Sequence, residues 1–352
     1  MELHTLSLRF RKQFQNRKSG FQTRDLLIAE ISNGSLTGFG EIAPLPGYSR
    51  ESLTQARDQF VGISQQIEVK ELVKQAPSNI LENILNLDLY PSVEFGVLSA
   101  LLDLRAKSRK FSIHRLLSAH TVKSIRCNAL IGLENRNETA HLASEAAKNG
   151  FHRVKLKFGR PEFGKDLEAL QAAVDAAGPD ILFRLDVNGG WEYAQAQRHL
   201  HTLADYPIDY IEQPLPAEQL DQLTQLQFES TIPIALDESI ISINRWETFF
   251  KQSPVRTLVI KPMIHGLFFL SPAFQTLTET ETVRVIISSS FESPVGHAFL
   301  CQLAAAVAPD EFHGLSTLDL FEKSSKIGNG YLQTGERIRL PDETGLGMDI
   351  PL

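Results

Sequence analysis

Cysteine is scarce in this chain: Cys127 and Cys301 are the two in 352 residues, which rules out a disulfide framework and a thiolate metal site and suits a reducing cytoplasm. Both read as packing residues. A strong charge bias is also missing. Lys and Arg number 35 against 42 Asp and Glu, a formal net charge of −7, so neither a nucleic-acid nor an anionic-membrane surface is expected. No stretch reaches ~18 uncharged apolar residues. Met1 to Phe10 has no basic segment leading into an apolar run, so export and membrane insertion are not expected and the chain reads as cytoplasmic. No Gly-rich nucleotide turn follows the first strand of the repeating region, which disfavours an open doubly wound sheet.

What is present is the composition of a soluble globular protein, 42% apolar and 22% charged. The length exceeds one ordinary domain and fits a barrel of roughly 200 to 250 residues with a smaller partner. Residues 1–120 read as an α+β domain. Leu3 to Phe14, Asp25 to Ser32 and Leu36 to Glu41, with a turn at Asn33-Gly34, suggest a three-stranded antiparallel meander. Helical spacing follows over Glu51 to Ile67, behind an expected cap at Ser49, and over Val93 to Ala106. Between sheet and helix, Glu41-Ile42-Ala43-Pro44-Leu45-Pro46-Gly47-Tyr48 describes a rigid loop, either a connector or the cover of a pocket.

Residues 121–320 alternate strand and helix. Strands are expected over Ile125 to Leu130, Arg153 to Phe158, Ile181 to Val187, Ile208 to Glu212, Ile232 to Leu236, Thr257 to Lys261, Val283 to Ser288 and, weakly, Phe312 to Ser316. Helical stretches such as Asp166 to Ala177 and Tyr193 to Asp205 separate them. The fold class is therefore α/β, a modified TIM barrel of the (β/α)7β kind with an N-terminal α+β capping domain. Residues 321–352 are loop-rich and are expected to return to that capping domain.

Lys155 and Lys157 are followed by Asp186, Glu212, Asp237 and Lys261, with 29, 26, 25 and 24 residues from Lys157 onward between successive groups. Such spacing places one ionisable residue at the end of each of five successive barrel strands, all facing one mouth. Three neighbouring carboxylates would repel unless a cation lay among them, and hard oxygen ligands favour Mg2+ over zinc. Lys155 and Lys157 share a strand face, and mutual repulsion is expected to lower their pKa toward values useful to a base. A divalent ion between opposed amines suits removal of a proton next to a carboxylate.

These residues resemble the enolase superfamily, in its muconate lactonizing enzyme-like branch with Lys-x-Lys on the second strand and a lysine on the sixth. Within that branch the chain resembles the o-succinylbenzoate synthase family. The resemblance lies in Gly40-Glu41-Ile42-Ala43-Pro44-Leu45-Pro46-Gly47-Tyr48-Ser49, Pro91-Ser92-Val93-Glu94-Phe95-Gly96, Arg184-Leu185-Asp186-Val187-Asn188 and Ser288-Ser289-Ser290-Phe291-Glu292-Ser293-Pro294-Val295-Gly296. It implies that Asp186, Glu212 and Asp237 bind Mg2+, with Mn2+ as a substitute, and that Lys157 abstracts the proton alpha to a substrate carboxylate. It implies that Lys261 stabilises the enediolate from the opposite face, and that Lys155 touches the carboxylate and depresses its neighbour's pKa. The implied reaction is syn dehydration of a cyclohexadiene carboxylate to 2-succinylbenzoate in menaquinone biosynthesis. Substrate or second-layer roles follow for Asn188, Arg184, Asn128, Ser288, Ser289 and Ser290, with the Glu292 to Gly296 turn offering amides to the succinyl carboxylate. The serines would equally serve only to make a loop polar.

The same resemblance leaves open an N-succinylamino acid racemase or dipeptide epimerase, which needs the same metal and lysines. Gly314-Leu315-Ser316-Thr317 lacks the Asp-x-Asp of the dipeptide epimerases, and Leu267 stands where many relatives have glycine. A barrel that binds a ligand without turnover is disfavoured, because all six groups are retained. His265 and His297 read as structural, and Arg17, Lys18 and Ser19 as a polar segment able to fold over the mouth. The expected partner is a small carboxylate; monomer and homo-oligomer read alike.

Overall fold

The computed structural model describes residues 1–15, 20–120, 122–323 and 330–351. Arg17, Lys18 and Ser19 lie outside the described residues. The amino-terminal meander consists of β1 (Glu2–Gln15), β2 (Gly20–Ser32) and β3 (Thr37–Ile42), paired antiparallel in that order. A helix at Leu53–Ser64 follows; its cap is Ser52 rather than Ser49, because Gln55 three residues on completes a capping box. Ser49 accepts instead from Leu45 N within the loop.

Helix Pro91–Arg109 is buried almost continuously from Ser92 to Ala106. One face lies on β3 so closely that only glycine fits: a Cβ on Gly40 would stand 1.9 Å from Gly96 O. Asp103, buried on that helix, accepts from Phe39 N and Leu346 N and pairs with Lys107.

The barrel strands are β4 (Ser124–Cys127), β5 (Ala129–Ile131), β6 (Arg153–Lys157), β7 (Leu182–Asp186), β8 (Ile208–Glu212), β9 (Ile234–Leu236), β10 (Thr257–Ile260), β11 (Arg284–Ile287) and β12 (Phe312–His313). Strands β5 to β11 form one parallel sheet in sequence order. The circle closes through a Ser288–Gly314 bridge and the parallel pairing of β12 with β4, which resumes as β5 beyond Asn128. Alternation sends every second side chain inward. Tyr210, Ala235, Val259 and Ile286 form a small apolar layer of their own, separate from the main core.

The tail divides its contacts. Strands β13 (Gln333–Thr334) and β14 (Arg337–Arg339) extend the sheet at β4, while Glu322 N donates to Arg9 O on β1 and Gly345 N to Phe111 O. Among the described residues no helix is long and apolar enough to cross a membrane.

Candidate active site

Parallel register sets Lys157, Asp186 and Glu212 side by side at the carboxyl ends of three neighbouring strands. Asp237 and Lys261 follow just beyond β9 and β10. The six ionisable groups meet at one mouth. Lys155 Nζ lies 2.6 Å from Glu212 Oε2 and 2.8 Å from Asp186 Oδ2. Lys157 Nζ donates to Asp186 Oδ2 at 2.6 Å and to Asn188 Oδ1 at 2.7 Å. Across the mouth, Lys261 Nζ is ion-paired with Asp237 Oδ2. Asn188 Nδ2 in turn donates to Glu238 Oε1. Buried Gln213 accepts from Asp237 N and Ser239 N, which fixes the loop that carries Asp237 and Glu238.

Electrostatics differ from the sequence expectation at Lys155. Burial alone would lower Lys155, yet Asp186 and Glu212 outweigh it and hold the ammonium well above the ordinary value. Burial likewise opposes and Asp237 overrides at Lys261, which is also raised. Carboxylates, rather than neighbouring ammonium groups, dominate both. Burial would raise Asp186, but Lys155, Lys157 and Lys261 pull it far below the usual carboxylate range. Burial and then the adjacent Asp186 push Glu212 up to about 8, against the pull of Lys155. At Asp237, Lys261 and His265 overcome burial and lower the carboxyl.

The donor set fits a hard divalent cation. Asp186 Oδ1 is buried with no hydrogen-bond partner, while Oδ2 receives both lysines of β6. A buried carboxylate oxygen left in this state is costly unless a cation or donor meets it. Among the described residues, the one set of three His, Cys, Asp or Glu whose donor atoms all approach within 4.8 Å is Glu2, His4 and Glu30, on the outer meander. The mouth carboxylates are more widely spread, with the lysine ammonium groups drawn in among them.

Arg184 and Asn128, expected in substrate or second-layer roles, lie beneath the mouth and not at its rim. The Arg184 guanidinium turns toward the strand starts, donating to Asp209 Oδ2 (2.8 Å), Phe312 O (2.6 Å) and Asn128 Oδ1 (3.2 Å) above the Tyr210 ring. Both residues brace the floor beneath the mouth. Ser288, Ser289 and Ser290 do reach the mouth end of β11, but the turn amides expected to receive a carboxylate are already occupied. Glu292 takes Ser290 N, and Glu41 takes Ser293 N and Gly296 N.

His297 is structural, with Nε2 against Leu315 O. His265 stands nearer the chemistry than its reading as structural implies: Lys261 N donates to its Nδ1, and Nε2 lies 3.8 Å from Asp237 Oδ1. Burial pushes it down to about 4. The Pro44 to Tyr48 loop does cover the mouth, since Lys261 Nζ sits 5.9 Å from the Tyr48 ring centre. Sequence reasoning assigned no site role to Glu238 or Gln213, and none to the side chains of Glu41, Glu292 and Tyr48, which it had placed only in a loop able to cover a pocket and in an amide-bearing turn. Glu238, adjacent to Asp237, had a signal in that adjacency alone.

Residues 138–351 match the family described as Enolase C-terminal domain-like, and residues 1–104 match the MenC N-terminal domain. The chain is 29% identical over 314 residues to the o-succinylbenzoate synthase of Aliivibrio salmonicida (strain LFI1238), covering 87% of this chain and 86% of that one. In fold it is similar to the L-Ala-D/L-Glu epimerase from Bacillus subtilis, with a TM-score of 0.87, 20% identity, and coverage of 99% and 97%. A dipeptide epimerase from Enterococcus faecalis V583, solved with Mg and the dipeptide L-Leu-L-Tyr, superposes with a TM-score of 0.86 at 22% identity, covering 99% and 98%.

Proposed function

This chain belongs to the Enolase C-terminal domain-like family and is an enzyme, and from that premise we propose that it is an o-succinylbenzoate synthase. It would convert 2-succinyl-6-hydroxy-2,4-cyclohexadiene-1-carboxylate into 2-succinylbenzoate and water. The observation that carries the choice within the family is the amino-terminal 104 residues, which match the MenC N-terminal domain and lay Tyr48 over Lys261.

Asp186, Glu212 and Asp237 would hold Mg2+, which when bound supplies positive charge to the carboxylate oxygens as negative charge develops on them. The protein's own groups do the rest. Asp186 and Asn188 hold Lys157 Nζ on two sides, leaving its third direction for the substrate. Acting as the neutral amine, Lys157 takes the proton from the carbon alpha to the carboxylate, becoming an ammonium, and returns it to the departing hydroxyl on the same face, so hydroxide leaves as water and the ring becomes aromatic. Lys261, raised by Asp237, remains an ammonium and faces the developing negative charge from the other side. Lys155, locked to Glu212 and Asp186, fixes both carboxylates.

A second reading, a racemase or epimerase of N-acylated amino acids, is favoured by the same opposed lysines, because proton return from Lys261 would invert the centre. The test is a Mg2+-dependent assay on the cyclohexadiene beside N-succinyl amino acids in D2O, with deuterium followed by NMR. Fast dehydration with little amino-acid exchange is expected; exchange at the amino-acid alpha carbon without dehydration would overturn the synthase reading.

A further inference from the structure

One buried side chain of the amino-terminal meander enters the mouth region with no role in the proton transfers. Glu41, on β3 and fully buried, accepts from Ser293 N and Gly296 N, each at 3.0 Å, and from Ser293 Oγ. These groups open helix Pro294–Val307, directly after the serine loop. Glu292, also fully buried, folds back to accept from Ser289 Oγ at 2.6 Å and Ser290 N at 2.8 Å. Phe291 between them holds φ at 66°, a left-handed conformation that a bulky residue keeps only under constraint from its surroundings. The loop is therefore clamped at both ends by carboxylates, one from each half of the molecule.

Two features link this clamp to a ligand. With the turn amides occupied, the Ser290 hydroxyl remains, buried and without a hydrogen-bond partner. Gly296 is also left without room for a side chain, since a Cβ there would stand 2.9 Å from both Glu41 Oε2 and Glu292 Cβ. The nearby cation is Arg24, whose guanidinium donates to Pro44 O and Ala43 O in the loop over the mouth. Burial, reinforced by Glu292, pushes Glu41 up to about 7 despite its hydrogen bonds from Ser293.

We propose that Glu41 is a positioning residue for the substrate's distal carboxylate: by seating residues 289–293 it aims the Ser290 hydroxyl at that group. This rests on the reading that the substrate carries a succinyl arm. Glu41→Gln keeps the shape but turns an amide donor toward the Ser293 and Gly296 donors.

The test is calorimetric binding of 2-succinylbenzoate and of benzoate, which lacks the arm, to the Mg2+-loaded protein, with Mg2+ titrations and KM and kcat alongside. For Glu41→Gln the Kd for 2-succinylbenzoate and the KM rise at least about tenfold, while benzoate, Mg2+ affinity and kcat stay within about threefold. Gly296→Ala, which crowds the clamp from the barrel side, gives the same split and decides the matter if Glu41→Gln does not fold. Unchanged 2-succinylbenzoate affinity in a folded variant, or equal losses for both ligands, overturns the proposal. A wild type that does not bind 2-succinylbenzoate also overturns it, whereas one that binds it without dehydrating the cyclohexadiene removes the proposed reaction alone.

Discussion

Replacing Lys157 with alanine separates catalysis from architecture, because the structure assigns very different sizes to the two losses. The Lys157 Nζ contacts Asp186 Oδ2 and Asn188 Oδ1, and the side chain is 24% exposed. Truncation leaves Asp186 Oδ2 with Lys155 at 2.8 Å and lets water reach Asn188, so the stability cost stays below about 2 kcal/mol. The chemical loss is larger. One general acid or base contributes roughly 10²–10⁴-fold, and Lys157 serves once in each role, so kcat should fall about 10⁴-fold or more, roughly 5.5 kcal/mol. Turnover is followed by NMR of the succinylbenzoate formed, urea unfolding reads stability, and calorimetry reads Mg2+ binding. Mg2+ affinity should be retained, since the variant loses a cation and no ligand. Residual turnover above about 1% of wild type would refute the assignment of Lys157 as base, because a positioned base contributes at least ~100-fold.

Two further outcomes follow from the packing. Burial raises Glu94 to about 7, against the hydrogen bond it accepts from Leu267 N, so the folded state binds a proton that the unfolded state releases between pH 4.5 and 7. That contribution to stability is present below pH 4.5 and lost as pH rises through 7; Glu94→Gln should reduce the fall in urea-unfolding free energy between pH 5 and 8 by about 2 kcal/mol, and an unchanged fall would exclude this cause. Gly40→Ala should cost about 3 kcal/mol in chemical denaturation, because its methyl would meet Gly96 O and Ser99 Oγ and force β3 away from the 91–109 helix; a loss under about 1 kcal/mol would show that the two can part easily.

The mouth was readable in the sequence because each of its groups ends a strand and the strands recur at nearly constant intervals. Spacing places Lys157, Asp186, Glu212, Asp237 and Lys261 at one end of a barrel whatever fills the helices. It does not determine which neighbour each charge meets, so repulsion between Lys155 and Lys157 gave the wrong direction for Lys155. Arg184 shares a face with Asp186 two residues away, and alternation cannot tell whether a long side chain runs toward the mouth or the floor. Asp209 decides that, at a register irregularity where β7 meets β8. Glu41 and Ser293 stand 252 residues apart with no periodicity to join them, so their pairing exists only once both halves have folded.

The buried carboxylate of Asp103 bears on the order in which the protein can be made. It receives the Leu346 amide, and β1 receives Glu322 N, so these early elements are completed by residues translated more than 240 positions later. At roughly 5–20 residues per second, the 243 residues from Asp103 to Leu346 take about 12–49 s to appear. During that interval the nascent meander and the 91–109 helix lack these partners, and the barrel grows beside a half-finished cover. Until Leu346 arrives, the Asp103 carboxylate lacks one of its backbone donors, so the seat of the 91–109 helix is completed late in synthesis whatever the speed of barrel closure.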